Sequence, residues 1–249
     1  STMNANSSVR SVRILKADAP LNVGGLTPFS TTDYPGMLAA VVFCQGCPWR
    51  CDYCHNPHLL PRKHPGGVEW SQVRDLLLRR QGLLDAVVFS GGEPTLQKEL
   101  LGAIQEVKEL GYKVGLHTCG AYPDRLARVL PYLDWVGMDI KAQWKDYGGL
   151  TATPGSGERA RDSARLLLQS GVAHEFRTTV HPALISCESL CTLAEDLVKI
   201  GVKRYVLQQF RNEGCANPAL ADAAETNYLK PDLCNAIGSR FESFTVRLA

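Results

Sequence analysis

Three times in this chain a helical run closes on glycine and passes at once into a β-rich run: Leu110-Gly111 into Tyr112 to Leu116, Ser170-Gly171 into Val172 to Val180, and Ile200-Gly201 into Val202 to Leu207. Glycine in that place takes the left-handed conformation that stops a helix without a Cβ penalty. The helices are amphipathic: Leu100, Ile104, Val107 and Leu110 recur at helical spacing, as do Leu190, Leu193, Leu197 and Ile200 behind Ser186 as N-cap. Each therefore has one apolar stripe that a sheet must cover. With further strands at Leu38 to Phe43, Asp85 to Phe89 and Leu133 to Ile140, strand and helix alternate at least six times, the pattern of a parallel sheet with right-handed crossovers. Polar residues gather just after nearly every strand, at Cys44 onward, Ser90 to Glu93, His117-Thr118, Asp139 to Lys141, Arg177 to Thr179 and Gln208-Gln209. In a barrel those positions converge on one mouth, so the expected fold is α/β, a partial (β/α)6 barrel of parallel strands rather than an open doubly wound sheet.

The 249 residues, 45% of them hydrophobic, suffice for one full core. A single domain over residues 1–249 is expected, with a leader or edge segment to about residue 24 and the core from about residue 25. The chain up to about Gly36 reads as an extended leader or edge hairpin, and Gln143 to Gly157, rich in Gly, Thr and Pro, as a loop. Arg211 to Glu225 reads as irregular, and Phe241 to Leu248 as a last strand. The net charge of +2, from 27 basic and 25 acidic residues, contains no block of like charge, which argues against nucleic acid or an acidic membrane as partner. No apolar stretch reaches the roughly 18 to 20 residues of a membrane span, and Ser1 to Ser8 are small and polar, unlike a secretory signal. A cytoplasmic protein is expected. Nine cysteines, an odd count, suit thiols kept reduced better than a disulfide framework.

Four of them crowd into eleven residues directly after the strand Leu38 to Phe43, as Cys44-Gln-Gly-Cys47-Pro-Trp-Arg-Cys51-Asp-Tyr-Cys54. Thiolates gathered on one loop suit an iron-sulfur cluster or zinc, because soft sulfur selects those metals. Cys47, Cys51 and Cys54 can wrap three corners of a cubane and leave the fourth iron open to a substrate or cofactor. Two other arrangements compete. Cys44 closes the site as fourth ligand of an electron carrier, or Cys47, Cys51, Cys54 and His58 hold structural zinc. Otherwise Cys44 is a small buried thiol.

The spacing Cys47-x3-Cys51-x2-Cys54, with the aromatic Tyr53 before the last cysteine, resembles the signature of radical S-adenosylmethionine enzymes. Ser90-Gly91-Gly92-Glu93-Pro94, running on from the strand Asp85 to Phe89, resembles that family's Gly-Gly-Glu-Pro segment; taken alone it is only a strand-to-helix turn. Glycines let backbone approach a ligand closely, and Glu93 offers a carboxylate to an ammonium group. The resemblance implies that Gly91, Gly92 and Glu93 hold the methionine amine of S-adenosylmethionine, whose amine and carboxylate chelate the open iron of a 4Fe-4S cluster. It further implies that the cluster passes one electron to the sulfonium and a 5'-deoxyadenosyl radical is released.

The resemblance extends over nearly the whole chain from about Gly25. The segments Pro28 to Gly36, Cys54-His55-Asn56-Pro57, His117-Thr118-Cys119-Gly120, Asp139-Ile140-Lys141 and Gln208-Gln209-Phe210 are similar to those of the activating enzymes of glycyl radical enzymes, most of all those serving anaerobic ribonucleoside-triphosphate reductase. This implies hydrogen abstraction from a glycine Cα of the partner reductase, and an external one-electron donor such as flavodoxin. By position, Tyr53, Cys54 and His55 resemble the segment beside the adenine, and Asp139, Ile140 and Lys141 a strand-end segment that contacts the cofactor. His117, followed by Thr118, stands where related enzymes carry an acidic residue near a cation; its other reading is a hydrogen-bonded side chain at the barrel mouth. Asp139 and Lys141, two apart on a strand, point the same way, into the mouth, unless they form a structural ion pair. Arg177 suits bidentate recognition of a carboxylate or a ribose region, unless it makes a surface salt bridge. Gln208 and Gln209 are weaker candidates. Cys119, Cys187, Cys191, Cys215 and Cys234 read as scattered core thiols rather than ligands of an auxiliary cluster. The same cofactors acting on a small molecule or another peptide, or a non-catalytic iron-sulfur or zinc module, are the alternative functions.

Overall fold

The computed structural model describes residues 20–63, 67–222 and 228–248. Eight strands form one sheet in chain order: β1 (Val23–Ser30), β2 (Ala39–Cys44), β3 (Ala86–Gly91), β4 (Lys113–Thr118), β5 (Trp135–Asp139), β6 (Ala173–Val180), β7 (Arg204–Gln209) and β8 (Ser243–Arg247). β1 runs antiparallel to β2, and every later pairing is parallel. The sheet order begins at β1 and ends at β8, so the barrel is unclosed, as expected. The parallel strands are joined by α1 (Trp70–Arg79), α2 (Leu100–Glu109), α3 (Pro123–Val129), α4 (Tyr147–Thr151), α5 (Ser156–Ser170), α6 (Cys187–Lys199), α7 (Pro218–Asp222) and α8 (Pro231–Gly238). None of the described helices is long and apolar enough to cross a membrane.

The helix stops are where the glycines put them: Gly111, Gly171 and Gly201 have φ of 92°, 73° and 99°. Ser186 caps α6 by accepting the Ser189 N–H at 3.1 Å. Two expectations need correction. The stretch Gln143 to Gly157 is not all loop: it holds a 3-10 turn at Trp144–Asp146 and α4, and α5 begins at Ser156. Aromatic anchoring outweighs its Gly, Thr and Pro content. Tyr147 is fully buried, edge-on to Trp49 with ring centroids 5.8 Å apart, stacked on Trp144, and its hydroxyl accepts the Lys141 N–H at 2.8 Å. The tail expected to be irregular from Arg211 contains α7, and residues 223–227 lie outside the described residues. The leader likewise lies outside them up to residue 19, and β1 is the edge hairpin strand.

Strand alternation sorts the core into two faces. Ala40, Val42 and Cys44 of β2 pack outward in the main core that also buries Val73, Ile104, Leu126, Leu167 and Leu193 of the helices. Ala39 and Val41 turn inward and meet Tyr34, Ala86, Val88 and Trp135, an apolar floor on which Tyr34 and Trp135 lie 5.2 Å apart. Above this floor the inward positions become polar. At Gly137 a Cβ would stand 2.9 Å from the Arg177 guanidinium carbon, so the missing side chain makes room for that cation inside the barrel.

Candidate functional site

The loop leaving β2 is pinned by its own backbone. The N–H groups of Gly46 and Cys47 donate to Leu59 and Leu60 carbonyls at 2.7 and 3.1 Å, Arg50 N to the Thr151 carbonyl at 3.0 Å, and Cys54 N to the Cys51 carbonyl at 3.1 Å. The Gln45 amide ties the loop's far end by donating to the His58 and Pro61 carbonyls at 3.0 and 2.6 Å. The thiols of Cys47, Cys51 and Cys54 are thereby presented to one cavity of about 640 Å³. Cys44 is fully buried in the helix-facing core, outside the cavity wall, where burial and then Glu93 push its thiol pKa up. His58 is exposed and also off that wall, so neither the closed four-cysteine arrangement nor the zinc set with His58 is assembled.

The segment after β3 is bound edge to edge to this loop: Gly92 N donates to the Cys44 carbonyl at 3.0 Å and Glu93 N to the Gly46 carbonyl at 2.9 Å. Gly91 and Gly92 line the cavity, but the reason they must be glycine is a different one from the close approach of a ligand. A Cβ on Gly91 would fall 2.5 Å from the Cys44 backbone, and one on Gly92 2.3 Å from the Gly46 oxygen. Glu93, expected to grip an ammonium group, is fully buried and does not line the cavity. Its carboxylate accepts from Thr95 N at 3.0 Å, Thr118 Oγ1 at 2.8 Å, Cys119 N at 2.8 Å and Cys119 Sγ at 2.9 Å. It is a strut between the ends of β3 and β4. Thr118 and Cys119 do reach the cavity. The influence of Cys119 is the main cause holding the Cys47 thiol below its ordinary pKa, whereas burial raises Cys51 and Cys54.

The opposite wall is charged. Asp139 and Lys141 point into the cavity, as alternation requires, and Ile140 between them is fully buried in the core, so the expected cofactor contact at Ile140 is corrected to a packing role. Asp139 does not pair with Lys141: Arg177 Nε donates to its Oδ1 at 2.9 Å, across from β6 to β5. Arg177 is only 8% exposed, so this is no surface salt bridge. Burial opposes ionisation of Asp139, yet Arg177, Lys141 and His117 together hold its pKa below the usual range. Lys141 lies 3.4 Å from the Tyr53 hydroxyl and 5.2 Å from its ring centre; burial alone would depress its ammonium, but Tyr53, Cys51, Asp139 and Cys119 lift its pKa well above the ordinary value. His117 is satisfied from both sides. Its Nε2 lies 2.8 Å from the Asp33 carbonyl, which can only accept, so that nitrogen carries the proton and Nδ1, at 3.2 Å, accepts from Ser90 Oγ. Burial and then the Arg177 charge bring its pKa down to about 4, and the imidazole is neutral at pH 7. His55 lines the mouth, held by the Arg211 carbonyl at 2.8 Å and by Phe210, with ring centroids 5.1 Å apart.

Tyr53, Arg177 and Gln208 also face the cavity, so of the expected site residues only Glu93 and Ile140 stand off its wall. The wall further includes Asp33, Trp49, Arg211, Glu213 and Arg247, which sequence reasoning had not picked out. Arg247 had a usable signal, an arginine at the end of the expected last strand, the position type that singled out Arg177. It forks on Glu175 at 2.8 and 3.0 Å and meets Gln208 at 3.2 Å. Cys187 and Cys191 stand together on α6, Cys234 on α8 and Cys215 beside the Asp52 carbonyl. Among the described residues no three His, Cys, Asp or Glu side chains close round a single ion. A cubane asks instead for thiols spread over separate irons, and three from one loop facing a cavity of small-molecule size fit that donor set.

Comparison with known proteins agrees with this chemistry. Residues 41–190 match the model of the radical SAM superfamily. The chain is 30% identical over 198 residues to a Methanocaldococcus jannaschii protein provisionally described as a glycyl-radical enzyme activating enzyme, covering 76% of this chain and 79% of that one. It is 32% identical over 175 residues to the pyruvate formate-lyase-activating enzyme of Clostridium pasteurianum, covering 67% and 71%. In fold it is similar to Streptococcus suis SuiB, with a TM-score of 0.63, 14% identity and coverage of 83% of this chain; it spans 48% of SuiB's length. The chain belongs to the radical SAM superfamily, as an enzyme of the activating-enzyme class whose cofactors are a 4Fe-4S cluster and S-adenosylmethionine.

Proposed function

We propose that the chain installs a glycyl radical on a partner enzyme, and that the partner is an anaerobic ribonucleoside-triphosphate reductase. The observation that carries the site reading is that three thiols of one loop and the polar ends of β3 to β7 face one cavity. The choice of the reductase rests on the segments Pro28 to Gly36, His117 to Gly120 and Gln208 to Phe210 quoted above. When bound, the cluster supplies the electron that cleaves S-adenosylmethionine reductively. The chain's own residues place the reactants. Cys47, Cys51 and Cys54 hold the cluster. Lys141 and Arg177 supply positive charge for the methionyl carboxylate, the backbone of Gly91 and Gly92 with Thr118 and Asp139 borders its amine, and Tyr53 and His55 flank the adenine, with Gln208 at the far rim. Glu93 acts at one remove, by fixing Thr118 and Cys119. Flavodoxin or a similar one-electron protein is the donor, and nine free thiols suit a reducing compartment such as the cytoplasm.

Anaerobic reconstitution, reduction and incubation with the reductase test this directly. The expected result is 5'-deoxyadenosine together with a glycyl doublet in the electron spin resonance spectrum of the reductase. Deoxyadenosine without the doublet sinks the partner assignment in favour of a small molecule or another peptide. An intact cluster that yields no deoxyadenosine sinks the enzyme reading at this site. Cys44→Ala is expected to retain the cluster, since Cys44 faces the core; loss of metal from that variant would restore the closed-site electron carrier.

A further inference from the structure

Arg247, at the end of β8, is used by none of the cluster or cofactor contacts proposed above. It reaches from β8 across β7 to β6. Its Nη1 donates to Glu175 Oε1 at 2.8 Å and to Gln208 Oε1 at 3.2 Å, and its Nη2 to Glu175 Oε2 at 3.0 Å. Glu175 stands behind, its side chain 12% exposed and off the cavity wall, whereas that of Arg247 is 37% exposed and on the wall. The fork locks the guanidinium and cancels its charge, yet occupies only part of its N–H donors. Gln208 is oriented by the same contact: a guanidinium cannot accept, so Oε1 faces Arg247 and the amide N–H groups are left to donate elsewhere. The rest of this rim is balanced in charge, with Arg211 and Glu213 both on the wall. Leu248, directly after Arg247, is 65% exposed and lines the cavity as well. β8 is the last strand of the sheet order, at the unclosed side of the barrel, and from the other end of that order Thr32 and Asp33 reach the same cavity. Donors of cancelled charge beside an apolar side chain suit neutral carbonyl acceptors, since a phosphate or carboxylate would have to displace Glu175. Regularly spaced neutral carbonyls with side chains between them are what an extended peptide offers.

We propose that Arg247, Gln208 and Leu248 form the contact at which this chain receives the main chain of the peptide segment that carries the target glycine. Arg247 and Gln208 donate to carbonyls of that segment, and Leu248 covers an apolar side chain beside the glycine. Glu175 is a positioning residue: it touches no substrate and fixes the fork of Arg247. The proposal deepens the glycyl-radical reading and rests on it.

The test compares the reconstituted wild type with Arg247→Met, which keeps an unbranched stem and loses the fork. With the anaerobic reductase as substrate, its apparent KM is expected to rise about tenfold while the radical yield at saturation stays within about twofold. Iron content and S-adenosylmethionine affinity by calorimetry are expected to match the wild type. Leu248→Ser, at an exposed position, is expected to raise the same KM about threefold and keeps the test open should the arginine variant fold poorly. An unchanged KM in both variants overturns the proposal. Weakened S-adenosylmethionine binding in Arg247→Met overturns it as well, by making Arg247 a cofactor contact. A wild type that gives no glycyl doublet on the reductase strikes the partner assignment instead, and the comparison then moves to a pool of short glycine-centred peptides deuterated at the glycine Cα. There the wild type is expected to carry deuterium into 5'-deoxyadenosine, and Arg247→Met about tenfold less at low peptide concentration. Equal labelling by the two proteins, or none by either, overturns the peptide contact.

Discussion

The sulfur wall at the ends of β2 to β4 and the charged wall at the ends of β5 to β8 enclose the same cavity but are held by different forces. The sulfur wall is held first by backbone against backbone, with the Gln45 amide and the Glu93 carboxylate adding side-chain ties: Gly92 N on the Cys44 carbonyl, Glu93 N on the Gly46 carbonyl, Cys47 N on the Leu60 carbonyl, with no space for a Cβ at Gly91 or Gly92. The charged wall is side chain against side chain: Arg177 on Asp139, Arg247 on Glu175, Lys141 on Tyr53. A backbone contact cannot yield without moving a strand end, whereas a paired side chain can change rotamer or take up water. A cluster needs thiols at fixed corners, and a charged, exchangeable cofactor needs groups that can rearrange as it enters and leaves.

The sharpest way to break this contrast is Gly92→Ala, whose new Cβ would lie 2.3 Å from a backbone oxygen. We expect a loss of about 3 kcal/mol or more in urea unfolding and failure to bind iron; a variant of normal stability and iron content would show that the sulfur wall is as yielding as the other. The next effect is a pH dependence. His117 is neutral in the fold down to about pH 4 but protonates near 6.5 when unfolded. Between those values the unfolded chain binds the extra proton, so this contribution is fully present above about pH 6.5 and is lost as pH falls toward 4. The shift corresponds to about 3 kcal/mol at most, and His117→Gln is expected to flatten the stability profile across that window. An unchanged slope would refute the neutral assignment.

Arg177→Met is expected to cost less, about 1 to 2 kcal/mol, because Asp139 is 39% exposed and water can take over its free oxygen. Iron content should hold while S-adenosylmethionine affinity, measured by calorimetry, falls about tenfold; lost iron with unchanged affinity would reverse the division between the walls. Tyr53→Phe removes one 3.4 Å contact to Lys141 and should cost under about 1 kcal/mol in the same unfolding assay.

Local periodicity carried most of what was legible beforehand. Gly111, Gly171 and Gly201 marked where helices stop, and alternation put Asp139 and Lys141 on the cavity and, read with equal strictness, would have put Ile140 in the core. Chain-distant partners were not legible. Nothing near Glu93 in the chain announces that Thr118 and Cys119 will consume its acceptors, and nothing near Asp139 announces Arg177 from the neighbouring strand.

What the sequence determined by itself was the spacing of thiols on one loop, the alternation that turns residues in or out of a strand, and the glycines that end helices, because each depends on a few consecutive bonds. Only the tertiary structure decided that Glu93 is a buried strut, that Arg177 rather than Lys141 forms the ion pair with Asp139, and that the Cys119 thiol is given to Glu93. A carboxylate or a thiol takes whichever partner comes within about 3 to 4 Å, and the distance between two strand ends is set by how the sheet twists and packs, not by the residues on either strand alone.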